Sequence, residues 1–420
     1  MFCPEGRIVV MASFRKNNLN NRLRKKVLWV SSLYMGTSLH QKSKIEIMGS
    51  LIDRGYASTL IALRSTKVVQ TGNSQVSLLS IPLKQISIIS RIMYTIVLIF
   101  ILPLQILISK PDYIFTDPHI SVFSFIPVIT ISKLTRIKLI LDVRSIPVEV
   151  SGFRGFLKNL LFTTSISFAK RLFNGITIIT PLMKKEICGR FRINPETVGV
   201  WSSGVSKSLF NPKTYKLSAL ILREKLGLTG KFVVLYHGVF SANRGLAESI
   251  EAMSIVKNAN KNVIFMLLGT GPYNQKLRDL IREKELQNNV IMHSPVEHVE
   301  VPKFIEMCDI GIVPMPNHPY WQTQSPLKLL EYLAMSKVVV LTSIPAHWTV
   351  VGKEKCGIYI SSAEPVEIAK SIIYTYDNRE ELGSWGASGR RIVEEKYTWE
   401  KVAADLESYL LSIDDVVSGI

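Results

Sequence analysis

The chain has 420 residues, 47% of them hydrophobic and 20% charged, enough for two α/β domains of ordinary size, each with its own core. Its four cysteines, Cys3, Cys188, Cys308 and Cys356, form no CxxC or other close pair, which argues against a zinc site or a disulfide framework and favours a reducing, cytoplasmic compartment. Of the net charge of +18, residues 1–210 carry 28 Lys+Arg against 9 Asp+Glu, or +19, leaving 51 − 28 = 23 against 33 − 9 = 24, or −1, for the rest.

In chain order, residues 1–25 are basic and polar, with Arg15-Lys16 and Arg22-Leu23-Arg24-Lys25, and read as a flexible tail suited to lipid headgroups. Neither Ile8–Met11 nor Val27–Val30 is long enough for the apolar region of a signal peptide. Val27-Leu28-Trp29-Val30 is the first strand candidate, with Gly36 beyond it. Ile92 to Ile108 is a run of 17 residues without a formal charge, between Arg91 and Lys110. That is the short limit for a membrane span, and Pro103 and Gln105 weaken the case, so a core or membrane-dipping helix is expected. An anionic membrane surface is the partner expected for this basic half, on the cytoplasmic face; nucleic acid is not, because the basic residues lie among aliphatic runs and no nucleic-acid motif is present. Leu139-Ile140-Leu141-Asp142 gives another strand, with Arg144 just past it. Thr197–Trp201 looks like the last strand of a first domain over 26–205, and the polar segment 206–229 reads as a hinge.

From Lys231 the pattern alternates between apolar strands, small-residue loops and helices. Strand candidates 231–237, 263–268, 290–292 and 309–314 lead respectively to Gly238 and Arg244-Gly245, to Gly269-Thr270-Gly271, to His293, and to Gln324-Ser325-Pro326-Leu327-Lys328-Leu329-Leu330-Glu331. Such alternation implies a parallel sheet with its loops gathered at the carboxyl ends of the strands, where ligands bind. Ser325 is a candidate N-cap and Pro326 suits a first turn, leaving backbone N–H groups to face an anion, with Lys328 in the first turn and Glu331 three residues on. By itself Gly269-Thr270-Gly271 is weak, since glycine there can serve a tight turn alone. His318 and Trp321, just upstream, are equally suited to touching a sugar or to packing a loop; His40, His119 and His347 show no evident partner.

These motifs, with Cys308–Pro314 and Tyr397–Glu400, resemble the retaining nucleotide-sugar glycosyltransferases of the GT-B fold, family 4 (glycosyl transferases group 1). The resemblance covers the C-terminal half well and the N-terminal half in pattern only. It implies two Rossmann-like α/β domains facing each other across a cleft, a donor domain over 230–395, and a C-terminal helix within 396–420 that crosses back to the first domain. It places Arg244 where the family has a diphosphate-binding Lys or Arg, and Glu331 at the second Glu of a Glu-x7-Glu motif, on the donor ribose. Gly36, Gly238, Gly269, Gly271, His293, Ser325, Lys328 and Leu329 complete the donor set it implies. Two departures stand out. The first Glu of the motif falls at Thr323, with Gln324 and His318 the candidates to address the donor sugar in its place; a second phosphate-binding Arg falls at Val239, leaving Lys328 to replace it. Where many members carry an N-domain His facing the reacting carbon, the strand here ends in Asp142 and Arg144, the candidate catalytic pair.

The sequence therefore leads to a glycosyltransferase that moves a sugar from a nucleotide diphosphate donor to a lipid-linked glycan or surface polysaccharide precursor, peripheral on the inner face of a membrane. The nucleotide sugar is a co-substrate, and no cofactor is expected. No Asp-x-Asp triad offers a metal site, so Arg244, Lys328 and the helix end are expected to neutralise the leaving diphosphate. The competing readings are a sugar-nucleotide-binding protein that has lost catalysis and, further off, a basic nucleic-acid-associated protein.

Overall fold

The computed structural model describes residues 25–34, 39–63, 69–71, 74–81, 88–147, 152–260 and 262–418. The basic start of the chain and Gly36, expected in the donor set, lie outside the described residues. The chain forms two compact units, one of Met1–Ser202 with Val402–Ile420 and one of Ser203–Lys401.

The first unit is built on β1 (Lys26–Tyr34), β2 (Ala57–Leu63), β3 (Val69–Thr71), β4 (Ser74–Ile81), β5 (Tyr113–Thr116), β6 (Lys138–Val143), β7 (Gly175–Ile178) and β8 (Val198–Val200), in the order β3-β4-β2-β1-β5-β6-β7-β8. Every neighbouring pair is parallel except β3 with β4. The uncharged run lies in the helix Ile88–Ser109, and one side of it enters the core: Tyr94, Leu98, Leu102 and Ile106 pack with Leu28 and Val30 of β1 and Ile114 of β5. Burial of Leu98, Leu102 and Ile106 stabilises the unit by about 1.5–3 kcal/mol each. A second cluster joins Leu141, Val143, Ile176 and Ile178 to Phe162 and Ile166 of the helix Gly152–Leu172.

The last helix, Trp399–Ser418, belongs to the first unit from Val402 onward, so the chain does cross back. Its Tyr409 hydroxyl accepts from the Ile176 N–H at 3.1 Å and donates to the Thr197 carbonyl at 2.9 Å. Gly199 leaves room for that ring, since a Cβ there would lie 2.4 Å from it.

The second unit holds β9 (Phe232–Val239), β10 (Val263–Thr270), β11 (Val290–His293), β12 (Ile310–Val313), β13 (Val338–Thr342) and β14 (Gly357–Ile360), all parallel, in the order β11-β10-β9-β12-β13-β14. Alternate residues feed two cores: Val233, Leu235, Ile264 and Met266 on one face, Val234, Tyr236, Val263 and Phe265 on the other. Burial of both faces is why these strands read as unbroken apolar runs. The strand order reverses between β9 and β12, the crevice at which open α/β sheets bind ligands.

The segment 206–229, expected as a hinge, instead contains the helix Pro212–Lys225, and it lies inside the second unit. Asn211 caps it by accepting from the Lys213 N–H at 3.2 Å, a helix start hidden in a polar stretch.

Candidate functional site

At the switch point β9 carries His237-Gly238 just before its last residue, Val239, and Gly238 adopts φ 126°. A Cβ on Gly238 would lie 3.3 Å from the Lys328 Nζ. Gly269 pairs with Gly238 across the ladder, and a Cβ on it would lie 2.0 Å from the Gly238 carbonyl oxygen. These glycines let two strand ends and a lysine come together, a task of close approach that only glycine meets here.

Lys328 sits in the first turn of the helix Leu327–Ala334. Its ammonium nitrogen is buried without a hydrogen-bond partner and lies 3.8 Å from the centroid of the Tyr236 ring. Burial pushes its pKa well below the usual lysine value, and the charge of Arg244 lowers it further, against the pull of Glu331. A buried cation with only a ring face for company is costly, and an anion would relieve that cost.

Arg244 ends the turn Ala242–Arg244, and Gly245 follows at φ 67°, where a Cβ would meet the Pro314 carbonyl oxygen at 2.0 Å. The guanidinium lies 4.6 Å from the Trp321 ring, and the Trp321 indole N–H donates to the Asn243 carbonyl at 3.1 Å. The Arg244 Nε is buried and unpaired. Burial pushes the Tyr236 hydroxyl up to about 12, with Arg244 opposing the shift.

Glu331 is buried one turn beyond Lys328, with Oε1 2.9 Å from the His298 Nε2 and Oε2 3.5 Å from the His237 Nε2. Burial lowers His237 to about 4, so at neutral pH it is uncharged and its long contact to Glu331 is not an ion pair. The Glu331 carboxylate keeps acceptor capacity beyond these contacts, since its two oxygens offer about four lone-pair directions. Cations on one side and a carboxylate on the other suit a molecule with an anionic end and a hydroxyl-bearing end.

Several expected site residues lie elsewhere or act differently. Ser325 does not cap the helix: Pro326 holds the N-cap position, and the Ser325 Oγ accepts from the Ser203 N–H at 3.2 Å. Leu329 is fully buried in the core, so its side chain cannot line the site. Trp321 is largely buried beneath Arg244, which makes it a support for that guanidinium. His318 is exposed and caps the short helix Pro319–Gln322, its Nδ1 accepting from the Tyr320 N–H at 3.3 Å, while Gln324 keeps a buried, unpartnered Nε2. Gly271 gives way to the backbone of Phe240, whose oxygen a Cβ would meet at 2.1 Å. His293 ends β11 in register with Leu268, its Nδ1 2.7 Å from the Ser294 carbonyl oxygen.

In the first unit Asp142 is completely buried in β6, its Oδ1 accepting from the Thr177 hydroxyl at 2.8 Å and the Trp201 indole N–H at 2.9 Å. Arg144 stacks its guanidinium 3.4 Å from the Trp201 ring centroid and donates to the Trp201 carbonyl at 2.6 Å. The pair assigned to catalysis from the sequence thus grips one tryptophan, a bracing geometry. Burial raises the Asp142 pKa, with Arg144 and Lys44 opposing it.

Three residues at the site escaped the sequence reading. His237, a polar residue closing an apolar strand just before Gly238, carried a usable signal; Tyr236 and His298 carried none, because a ring under a lysine and a contact across 33 residues arise only from the fold. His119 and His347 also have partners: the His119 Nε2 is 3.2 Å from Arg91, and the His347 Nδ1 is 2.8 Å from the Thr342 carbonyl oxygen. Burial holds both near 4.

Residues 220–392 match the family model described as Glycosyl transferases group 1. That match lies within the second unit, and the chain shares the fold of GT-B glycosyltransferases of known structure. It is 28% identical over 173 residues to a putative teichuronic acid biosynthesis glycosyltransferase, TuaH, of Bacillus subtilis (strain 168), covering 41% of each chain. It is 24% identical over 229 residues to the alpha-monoglucosyldiacylglycerol synthase of Acholeplasma laidlawii, covering 54% of each chain. The chain thus spans about half the length, or less, of these relatives. The crystal structure of Anabaena Alr3699/HepE with UDP and glucose superposes at a TM-score of 0.71 over 93% of this chain and all of that one, at 14% identity, a likeness of fold.

Proposed function

We propose that this protein transfers a sugar from a nucleoside diphosphate donor to a lipid-linked glycan or surface polysaccharide precursor, with retention of the anomeric configuration. The observation that carries this reading is the Lys328 ammonium, buried without a hydrogen-bond partner near the end of β9, with the buried Arg244 Nε unpaired as well. The diphosphate would lie on Lys328, Arg244 and the start of the helix Leu327–Ala334, and the ribose hydroxyls would donate to Glu331.

As the anomeric C–O bond breaks, negative charge grows on the diphosphate, and the two cations stabilise it where it forms. Departure then runs ahead of attack. The acceptor hydroxyl enters from the face the diphosphate leaves, a new C–O bond forms there, and the proton passes to the departing phosphate oxygen. Support for the acceptor class comes from relatives named for teichuronic acid biosynthesis and for a glucosyl diacylglycerol. Gly238, Gly269, Gly271 and His293 would shape the edge on which the donor lies, and His318 and Gln324 would address the sugar in place of the missing first Glu. Trp201 would be held in place by Asp142 and Arg144.

Calorimetric titration with UDP, GDP, ADP and dTDP tests the donor site. One diphosphate should bind to the wild type and lose most of its affinity in Lys328→Met and Arg244→Ala; no binding of any of them would remove this reading. With donor and acceptor in hand, turnover should persist in EDTA and NMR should show the configuration retained.

A further inference from the structure

The helix Ile88–Ser109 has two apolar faces, and only one has a partner. Tyr94, Leu98, Leu102 and Ile106 are buried in the first unit's core, and the Tyr94 hydroxyl donates to the Ser31 carbonyl at 2.7 Å. Ile92, Ile96, Phe100, Leu104, Leu107 and Ile108 are exposed, Phe100 at 74% and Leu107 at 67%. At 100° per residue these six fall within an arc of about 160°, opposite the buried four. Single exposed apolar side chains are ordinary, whereas a continuous stripe of six along one helix marks a surface that is covered in use.

The charge beside the stripe says what covers it. Residues 88–137 contain Arg91, Lys110, Lys133 and Arg136 against Asp112 and Asp117, of which Asp117 is paired with Lys44, and the helix itself holds no Asp or Glu. The neighbouring helix Ile126–Thr135 ends with Leu134 at 82% exposure, next to Lys133 and Arg136. Apolar side chains bordered by lysine and arginine, with no acid among them, match lipid tails beneath anionic headgroups.

We propose that this face docks the protein on an anionic membrane, the exposed side chains dipping into the headgroup and acyl boundary while the helix stays part of the first unit. Ser90–Ser109 is long and apolar enough to cross a bilayer, but crossing would tear Tyr94, Leu98, Leu102 and Ile106 out of the core. The inference rests on this surface alone and stands or falls separately from the donor site.

Cosedimentation with vesicles of equal parts phosphatidylcholine and phosphatidylglycerol tests it. The wild type should sediment with these vesicles, bind pure phosphatidylcholine less, and be partly released by added salt. The double variant Phe100→Glu, Leu107→Glu should partition at least about tenfold less, because charge is disfavoured in the acyl layer. Leu217→Glu, on an exposed apolar position of the second unit, should bind as the wild type does, and circular dichroism melts should show both variants folded. Three outcomes would overturn the proposal: a wild type that stays in solution, a folded double variant that binds unchanged, or a wild type released only by detergent, which would mean a span. A dimer abolished by Phe100→Glu, with no vesicle binding, would assign the face to a second copy instead.

Discussion

In the first unit the buried lysine Lys44 meets the carboxylate of Asp117, which also accepts from the Ser31 hydroxyl at 3.1 Å. In the second unit the buried lysine Lys328 meets only the ring of Tyr236, with Arg244 as a like charge nearby. Both lysines end near the carboxyl edge of a parallel sheet, yet one has its counter-ion built in and the other does not. A paired buried charge braces the fold, because removing either partner strands the other. An unpaired one weakens the free protein and is retained where a ligand supplies the missing charge. On the function proposed, the contrast makes the Lys44–Asp117 pair a brace, sets Asp142 and Arg144 beside it through their bonds to Trp201, and leaves donor binding to Lys328, Arg244 and Glu331.

The sharpest way to break that contrast is Lys328→Met. Nucleoside diphosphate affinity should fall by about 3 kcal/mol, near a hundredfold, the upper range for a charge-assisted bond. The free protein should become more stable. The sign follows from the direction of the shift: the Lys328 pKa is depressed in the fold, so its contribution is present above the unfolded value near 10.5 and lost as pH falls through the folded value. At neutral pH that loss is in force, and methionine does not suffer it. Thermal melts at pH 7 read the gain and calorimetry the loss; a variant both weaker in binding and less stable would make Lys328 a brace like Lys44.

The same depressed pKa makes donor binding draw a proton. The arriving diphosphate opposes that shift and raises the Lys328 pKa, so binding takes up a proton in the window between the free and bound values. Titrations in buffers of different ionisation enthalpy should give different apparent heats in the wild type and matching heats in Lys328→Met.

Arg244→Ala and Glu331→Ala should each cost about 1.5–3 kcal/mol of diphosphate affinity, the scale of charge-assisted hydrogen bonds. His298→Ala should cost less, about 0.5–1.5 kcal/mol, since it leaves the carboxylate in place and removes only the contact that orients it. An effect of His298→Ala as large as that of Glu331→Ala would mean that His298 itself touches the donor.

The second unit was the more legible in sequence because burial of both sheet faces makes its strands uniformly apolar and its loops conspicuous by their glycines. Lys328 and Glu331 stood out through their helical spacing. Ser325 misled because a serine before a proline and an apolar run fits an N-cap in isolation, whereas the fold spends its hydroxyl on the Ser203 backbone. The 17-residue uncharged run could not reveal its two faces, since the exposed one is as apolar as the buried one and no periodicity separates them. Asp142 drew attention as a charge at a strand end, and nothing local tells that its Oδ1 accepts from Thr177 and Trp201, 35 and 59 residues on.

Asp142→Asn should have the smallest effect on donor binding, and it tests the other arm of the comparison. The asparagine keeps an oxygen for the Trp201 indole N–H and the Thr177 hydroxyl, so Trp201 stays held and diphosphate affinity should remain within about twofold of the wild type, near 0.4 kcal/mol at 1.4 kcal/mol per decade. Asp142→Ala strands both donors and should cost about 2–6 kcal/mol of stability, one to three for each buried group left unpaired, again with affinity unchanged. The pH dependence separates bracing from catalysis. Burial raises the Asp142 pKa above the unfolded value of 3.8, so its contribution is present below that value and lost as pH rises through the folded one. Urea midpoints of the wild type should therefore carry a downward slope with rising pH above 3.8 that Asp142→Asn lacks. If Asp142→Asn kept both its stability and its affinity but lost turnover about a hundredfold, the scale of a positioned acid or base, Asp142 would belong to the chemistry after all, and the bracing geometry around Trp201 would be the means of aiming it.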